Sequence, residues 1–497
     1  MSLKLTIREI QKSYSAFKTI ARERLVANDV EGTITYINHC VTLAQQFNWI
    51  YADDELEQIE QWIGEMLLPE RDVVYTANPN RVVFYDDFCV TFILAVQYLE
   101  ALLKAGKEVL YITTTPIQND AQRNFFQHIE SLKGLHILHI DAPNASKTIN
   151  QAYKATVDFR PAQVLLHISA RSIFVPVMYR IPKGITRYLI NLQDQTFWLG
   201  KNAIDYCVEF RPFGVAVSRE RRGIKPEQQL MLPFYPVKDN NPFDGFPKEA
   251  DGHVTIFSGG DLYKTLDTKR VYWKLIRRIL DKHPDVRFLF ATKANPLGNK
   301  AVEKFVRENH YEDKFIYVGF RKDIYEVFAH IDIFMGTCPV CGSLMSQLSA
   351  INAKPILQYY YPGTPDDETE QAICINDTFP ISFQDEEAFL QEADWLITDA
   401  KYRKSQGERL KKAMITKEQF DEALAKIINT NTSPYPCEPN EVDYSLLDER
   451  WYELERCGFT DTMAYVYSIL GKKNVLKYVP TMYIKKQIRT IMNKLHI

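Results

Sequence analysis

The feature that most constrains this chain is an alternation, running from Arg81 to Leu357, of short apolar runs with amphipathic segments. Val82–Tyr85, Glu108–Ile112, His136–Ile140 and Val164–Ile168 read as strands, with a helix over Thr91–Ala105 after the first. A strand–helix–strand rhythm builds parallel sheet, because a parallel pair needs a crossover and the crossover is usually helical. The turn-rich stretch Lys238–Pro247 then separates this series from a second one. There the strands are Val254–Ser258, Arg287–Ala291, Phe315–Val318, Ile331–Met335 and Pro355–Leu357, with helices over Lys269–His283, Asn299–Asn309 and Ile324–His330. The fold expected is α/β: two Rossmann-like doubly wound lobes, with a binding cleft between the carboxyl ends of the two sheets.

The flanks follow a different pattern. Ile34, Ile37, Val41, Ala44 and Phe47, then Leu56, Ile59, Ile63 and Leu67, keep helical spacing, so residues 1–72 read as a small helical unit. The first lobe is then expected over 73–240, the second over 241–395, and a helical C-terminal region over 396–497. That region ends in a stripe of Ile484, Ile488, Ile491, Met492 and Leu495. From Gly471 onward it carries Lys472, Lys473, Lys477, Lys485, Lys486, Arg489 and Lys494 and no acidic residue, the pattern of a helix that lies on an anionic membrane or docks with a solvated basic face.

Composition removes several classes. Lys+Arg of 60 against Asp+Glu of 63 gives a net charge of −3, so nothing draws the chain as a whole to nucleic acid. Eight cysteines in 497 residues are too few for a disulfide scaffold, and the single CxxC, Cys338 and Cys341, has no second pair at zinc-ligand spacing. The N-terminus lacks the apolar core of a secretory signal, and Phe88–Leu103 is broken by Gln97 and Glu100. A cytoplasmic protein without a structural metal is expected, peripheral to the inner membrane face if the basic tail engages lipid.

Two loops carry the clearest anion-binding signal. Ser258-Gly259-Gly260-Asp261 follows a strand, with Lys264 just beyond. Gly336–Ser343 follows another strand and opens a helix, where free N–H groups at Gly342, Ser343 and Leu344 and the helix dipole favour a phosphate. Neither loop is a P-loop nor the GxGxxG fingerprint, which argues against nucleotide hydrolysis and hydride transfer.

The second lobe resembles the nucleotide-sugar half of GT-B glycosyltransferases. The resemblance runs from the glycine loop through Lys282–Phe288, Phe315–Phe320 and Ile324–Phe334 to Gly342–Ile356. The first lobe is similar to bacterial surface-polysaccharide (capsule or O-antigen type) glycosyltransferases at Val83–Phe88, Lys107–Ile112, Asn191–Gly200, Ile204–Tyr206 and Leu232–Pro236. One departure is evident. Many retaining members hold the donor ribose with an acidic residue seven positions before the proline that is Pro355 here, and this chain has Leu348 there, with Ser346 or Gln347 as hydrogen-bonding substitutes.

The resemblance implies a metal-independent hexosyltransferase acting in cell-surface polysaccharide synthesis. It would move a sugar from a nucleoside diphosphate donor, UDP-linked in the first instance, to a glycan or lipid-linked acceptor, with no cofactor besides the donor. Gly259, Gly260, Lys264, Lys293, Gly342 and Ser343 would meet the diphosphate, Arg321 the base and Ser346 the ribose. Asp194 and His167 are the candidate bases for the acceptor hydroxyl, with Asp86 and Asp87 beside the same cleft. Absence of a DxD-like pair in the second lobe agrees, since Asp366-Asp367 falls in a polar loop. The alternatives are a non-catalytic partner that keeps the fold and binds a glycan, and a sugar-nucleotide epimerase of the same two-lobed shape.

Overall fold

The structure is a computed structural model describing residues 4–68, 75–88, 92–238, 241–293, 296–360, 368–458 and 460–494. The first alternating series forms a seven-stranded sheet: β1 (Asn78–Asp86), β2 (Glu108–Thr113), β3 (Leu135–His139), β4 (Pro161–His167), β5 (Thr186–Ile190), β6 (Tyr206–Glu209) and β7 (Gln229–Met231). Its order is β3-β2-β1-β4-β5-β6-β7 and every pairing is parallel. The second series forms a six-stranded parallel sheet of β8 (Val254–Gly259), β9 (Val286–Ala291), β10 (Phe315–Tyr317), β11 (Ile333–Met335), β12 (Ile356–Tyr359) and β13 (Ser382–Phe383), ordered β10-β9-β8-β11-β12-β13. The α/β fold with two doubly wound lobes is thus what the sequence led us to expect.

Each sheet reverses its strand order once, between β1 and β4 in the first and between β8 and β11 in the second. At such a point the flanking loops part to opposite sides and open a crevice at the carboxyl ends of the strands. The first reversal carries Asp86 and His167, which are register partners. The second carries Gly259 at the end of β8 and the Gly336–Ser343 loop after β11.

The helices cover these sheets with ordinary amphipathic faces. Val271–Lys282 buries Val271, Tyr272, Leu275, Ile276, Ile279 and Leu280, two per turn, against the second sheet. The N-terminal unit is three helices, Ile7–Val26, Val30–Phe47 and Asp54–Leu67, joined in one apolar core with the first lobe. It is also fastened by Glu57, which accepts from Tyr179 Oη at 2.5 Å and from the Gly200 amide at 2.7 Å.

The C-terminal helices divide between the lobes. Ala400–Ala413 closes the second lobe through Leu410 and Ala413, whereas Lys417–Thr430 crosses back to cover the first with Phe420, Leu424 and Ile427. Tyr444–Cys457 lies at the junction, and Thr462–Tyr478 and Pro480–Lys494 pack on the N-terminal unit through Val466, Leu470, Val475 and Met482. Lys485 adds an ion pair to Glu9 at 2.6 Å.

Candidate functional site

In the second lobe the chain turns at the end of β8. A Cβ on Gly259 would sit 2.6 Å from the carbonyl oxygen of Ala291, and Gly260 adopts φ +141°, so both positions require glycine. The turn Leu262–Thr265 follows, and its Lys264 carbonyl accepts from the Val340 amide at 3.3 Å, tying it to the loop after β11. Half-buried Lys264 places Nζ 3.8 Å from where a Gly342 Cβ would be, and the ammonium has no ion-pair partner among the described residues. Gly342 is the N-cap of helix Ser343–Ile351, and no side chain caps it. A free ammonium beside an uncapped helix start is an anion cradle: N–H groups, dipole and cation act on one point.

At the end of the first sheet His167 Nδ1 lies 2.9 Å from Asp86 Oδ1, and both side chains are fully buried. Asp86 Oδ2 accepts from Tyr111 Oη at 2.8 Å, and Oδ1 also accepts from the Phe88 amide at 3.0 Å. His167 Nε2 is buried with no hydrogen-bond partner among the described residues, between the rings of Phe84, Phe88 and Tyr98. The neighbouring Asp87 reaches the surface in part and accepts from the Ser169 amide at 2.6 Å. Burial pushes its carboxyl up to about 6 despite hydrogen bonds from Ser172 and Ser169.

Asp194 is placed differently from a proton acceptor. Both its oxygens are taken by Arg211, Nε to Oδ2 at 2.6 Å and Nη2 to Oδ1 at 3.0 Å. Arg211, which is 2% exposed, continues to the other lobe: its Nη1 lies 2.7 Å from Glu368 Oε1 and donates to Ser343 Oγ at 3.2 Å. Both carboxylate oxygens are thus occupied by one charge-assisted bidentate pair. Asp194 therefore sits where it holds the lobes together. Arg211 and Glu368 had no motif to mark them, and their pairing joins positions 157 apart in the chain.

The remaining expected residues separate into two groups. Ser343 is at the cradle, and Ser346 one turn further has a buried hydroxyl without a partner among the described residues. Lys293 is exposed after β9. Arg321 is spent elsewhere: it pairs with Asp323 through Nε at 2.8 Å and donates to the Gly245 carbonyl at 2.7 Å, which anchors the interlobe linker. Leu348 is fully buried in the lobe's core. Asp366, Asp367 and Leu495 lie outside the described residues.

No family model and no curated protein matches this chain in sequence. Solved structures do. Over 90% of this chain and 85% of the other, it superposes on a mutant O-GlcNAc transferase of Thermobaculum terrenum with TM-score 0.50 and 14% identity. Anabaena HepE, described in complex with UDP and glucose, matches at TM-score 0.50 and 10% identity over 70% of this chain and 99% of its own. The chain has the GT-B fold. The same arrangement is shared by a putative UDP-N-acetylglucosamine 2-epimerase of Listeria monocytogenes, at TM-score 0.50 and 10% identity over 73% of this chain and 100% of that one. GT-B architecture alone thus accommodates both transfer and epimerisation, and the choice between them rests on this chain's own residues.

Proposed function

We propose that the chain is a glycosyltransferase that moves a sugar from a nucleoside diphosphate donor, UDP-linked in the first instance, to a glycan or lipid-linked acceptor in cell-surface polysaccharide synthesis. The observation that carries this reading is the cradle at the second switch point, where the Gly259–Gly260 turn, the Lys264 ammonium and the uncapped helix start at Gly342 converge. That HepE is described with UDP and glucose supports it. In this reading the departing diphosphate is met by Lys264 and the helix dipole, and no metal is assigned a part. Ser343 and Ser346 line the donor side, with Lys293 at its rim. Exposed Phe320, at 62%, offers a face on which a base can stack.

The acceptor hydroxyl loses its proton at the first switch point. Asp87 is the base in this reading, being partly exposed and tuned toward neutrality, with the His167–Asp86 pair fixed behind it. Asp194 positions Arg211 and, through it, Ser343. The non-catalytic alternative draws on one observation, the complete burial of His167 and Asp86. Donor hydrolysis by the purified protein decides between the two.

The enzyme is proposed to work at the inner face of the membrane. Among the described residues no helix is long and apolar enough to cross a membrane. Helix Pro480–Lys494 instead leaves Ile484, Ile488 and Ile491 exposed at 57%, 42% and 56%, on a segment whose only charges are basic. Sedimentation with anionic vesicles tests this: Ile484→Ser with Ile488→Ser should leave the protein in the supernatant.

A further inference from the structure

Helix Tyr444–Cys457 lies across the donor turn. The Thr268 amide donates to Glu453 Oε1 at 3.0 Å and the Thr268 hydroxyl bonds the same oxygen. Trp451 shares an apolar cluster with Val340, in the loop that leads to Gly342, and with Phe213 of the first lobe. Immediately before Trp451 the helix carries Arg450. It is 4% exposed, and its Nε and Nη1 have no hydrogen-bond partner among the described residues.

Among the described residues, Glu368, Cys341, Tyr51 and Tyr360 are ionisable groups close enough to act on Arg450. Glu368 is the one carboxylate of the four, and it is already paired with Arg211 at 2.7 Å. Burial raises the Cys341 thiol to about 12, so it supplies no charge near neutral pH. A buried guanidinium cannot shed its proton to escape, and burying it without a counter-charge is strongly unfavourable. Cys341, within electrostatic reach of Arg450, directly precedes the uncapped helix start at Gly342 that Lys264 faces, and the neighbouring Trp451 packs with Val340 of the same loop.

We propose that Arg450 is a diphosphate-binding residue of the donor site, contributed by a C-terminal helix that belongs to neither sheet. The inference rests on the donor-site reading above and extends it: the planar fork of a guanidinium takes two phosphate oxygens at once, which the single ammonium of Lys264 does not. Binding of the donor then sets phosphate charge against a cation that has no ion-pair partner among the described residues, and the helix tightens onto the turn it crosses.

The test is titration of the full chain with UDP, inorganic pyrophosphate and uridine. Arg450→Met should bind UDP and pyrophosphate at least tenfold more weakly than wild type, bind uridine equally, and melt no lower when ligand-free. If Arg450→Met binds UDP as tightly as wild type while Lys264→Ala does not, Arg450 is structural and the donor site stands. If wild type binds none of the three, the donor reading fails and this inference with it. Should Arg450→Met not fold, amide exchange of wild type decides: UDP should protect residues 444–457, and unchanged exchange there overturns the proposal.

Discussion

Asp86 and Asp87 are adjacent, yet their surroundings set them different tasks. Asp86 is sealed beneath the sheet end, accepting from Tyr111 and facing His167 Nδ1, which fits a residue that orients an imidazole. Asp87 reaches the surface in part, and burial raises its carboxyl to about 6. A base is competent only when deprotonated, so kcat/KM should climb with pH to a plateau above about 6. Asp87→Asn should remove that limb and cost about 10²- to 10⁴-fold in rate, read from a pH–rate series. The loop glycines were legible in the sequence because the turn after a strand needs glycine, and Lys264 because it stands just beyond that turn. Asp194 was legible as a cleft residue but not as an ion-paired one, since Arg211 stands 17 positions away on another element. Leu348 could not be oriented from spacing alone: it lies in the core, and its neighbours Gln347 and Ser349 are buried as well.

Among elements, the N-terminal helices show how burial is compensated. Glu57 keeps three hydrogen-bond donors, whereas Glu60, one turn on, is buried beside it and its carboxyl is pushed up to about 8, by burial first and by Glu57 second. Its folded value exceeds its unfolded one, so the native state binds the extra proton and stability falls as pH rises from the ordinary glutamate range toward 8. Glu60→Gln, which cannot ionise, should flatten the denaturation profile across that window; an unchanged slope would show that Glu60 is ionised in the native state. The strands that alternated clearly, β1, β2, β4, β8 and β9, were readable within a few residues. β5, β6, β7 and β13 were not read, and β13, of two residues, is too short for a period to declare itself. The exposed face of Pro480–Lys494 was legible as a basic amphipathic stripe, although its other side, Met482 and Lys485, proved to be docked on the first helix unit.

The whole molecule is two lobes joined by more than the linker. Lys417–Thr430 crosses from one to the other, and Asp194–Arg211–Glu368 bridges them at the cleft. Arg211→Met removes the one cation shared by two buried carboxylates, so it should cost about 3–5 kcal/mol of stability by denaturant titration and lower donor affinity by releasing Ser343. None of this bridge was visible in the sequence, because it is assembled from three distant segments by the closure of the lobes. The central claim remains that the second switch point binds a nucleoside diphosphate. Its most direct test is a thermal-shift series with UDP-, GDP-, CMP- and dTDP-linked sugars on wild type and Lys264→Ala. At about 100 times the dissociation constant, one donor should add roughly 2.7 kcal/mol of stability to wild type and lose that effect in Lys264→Ala. No shift with any donor, or an equal shift in the variant, would contradict the account.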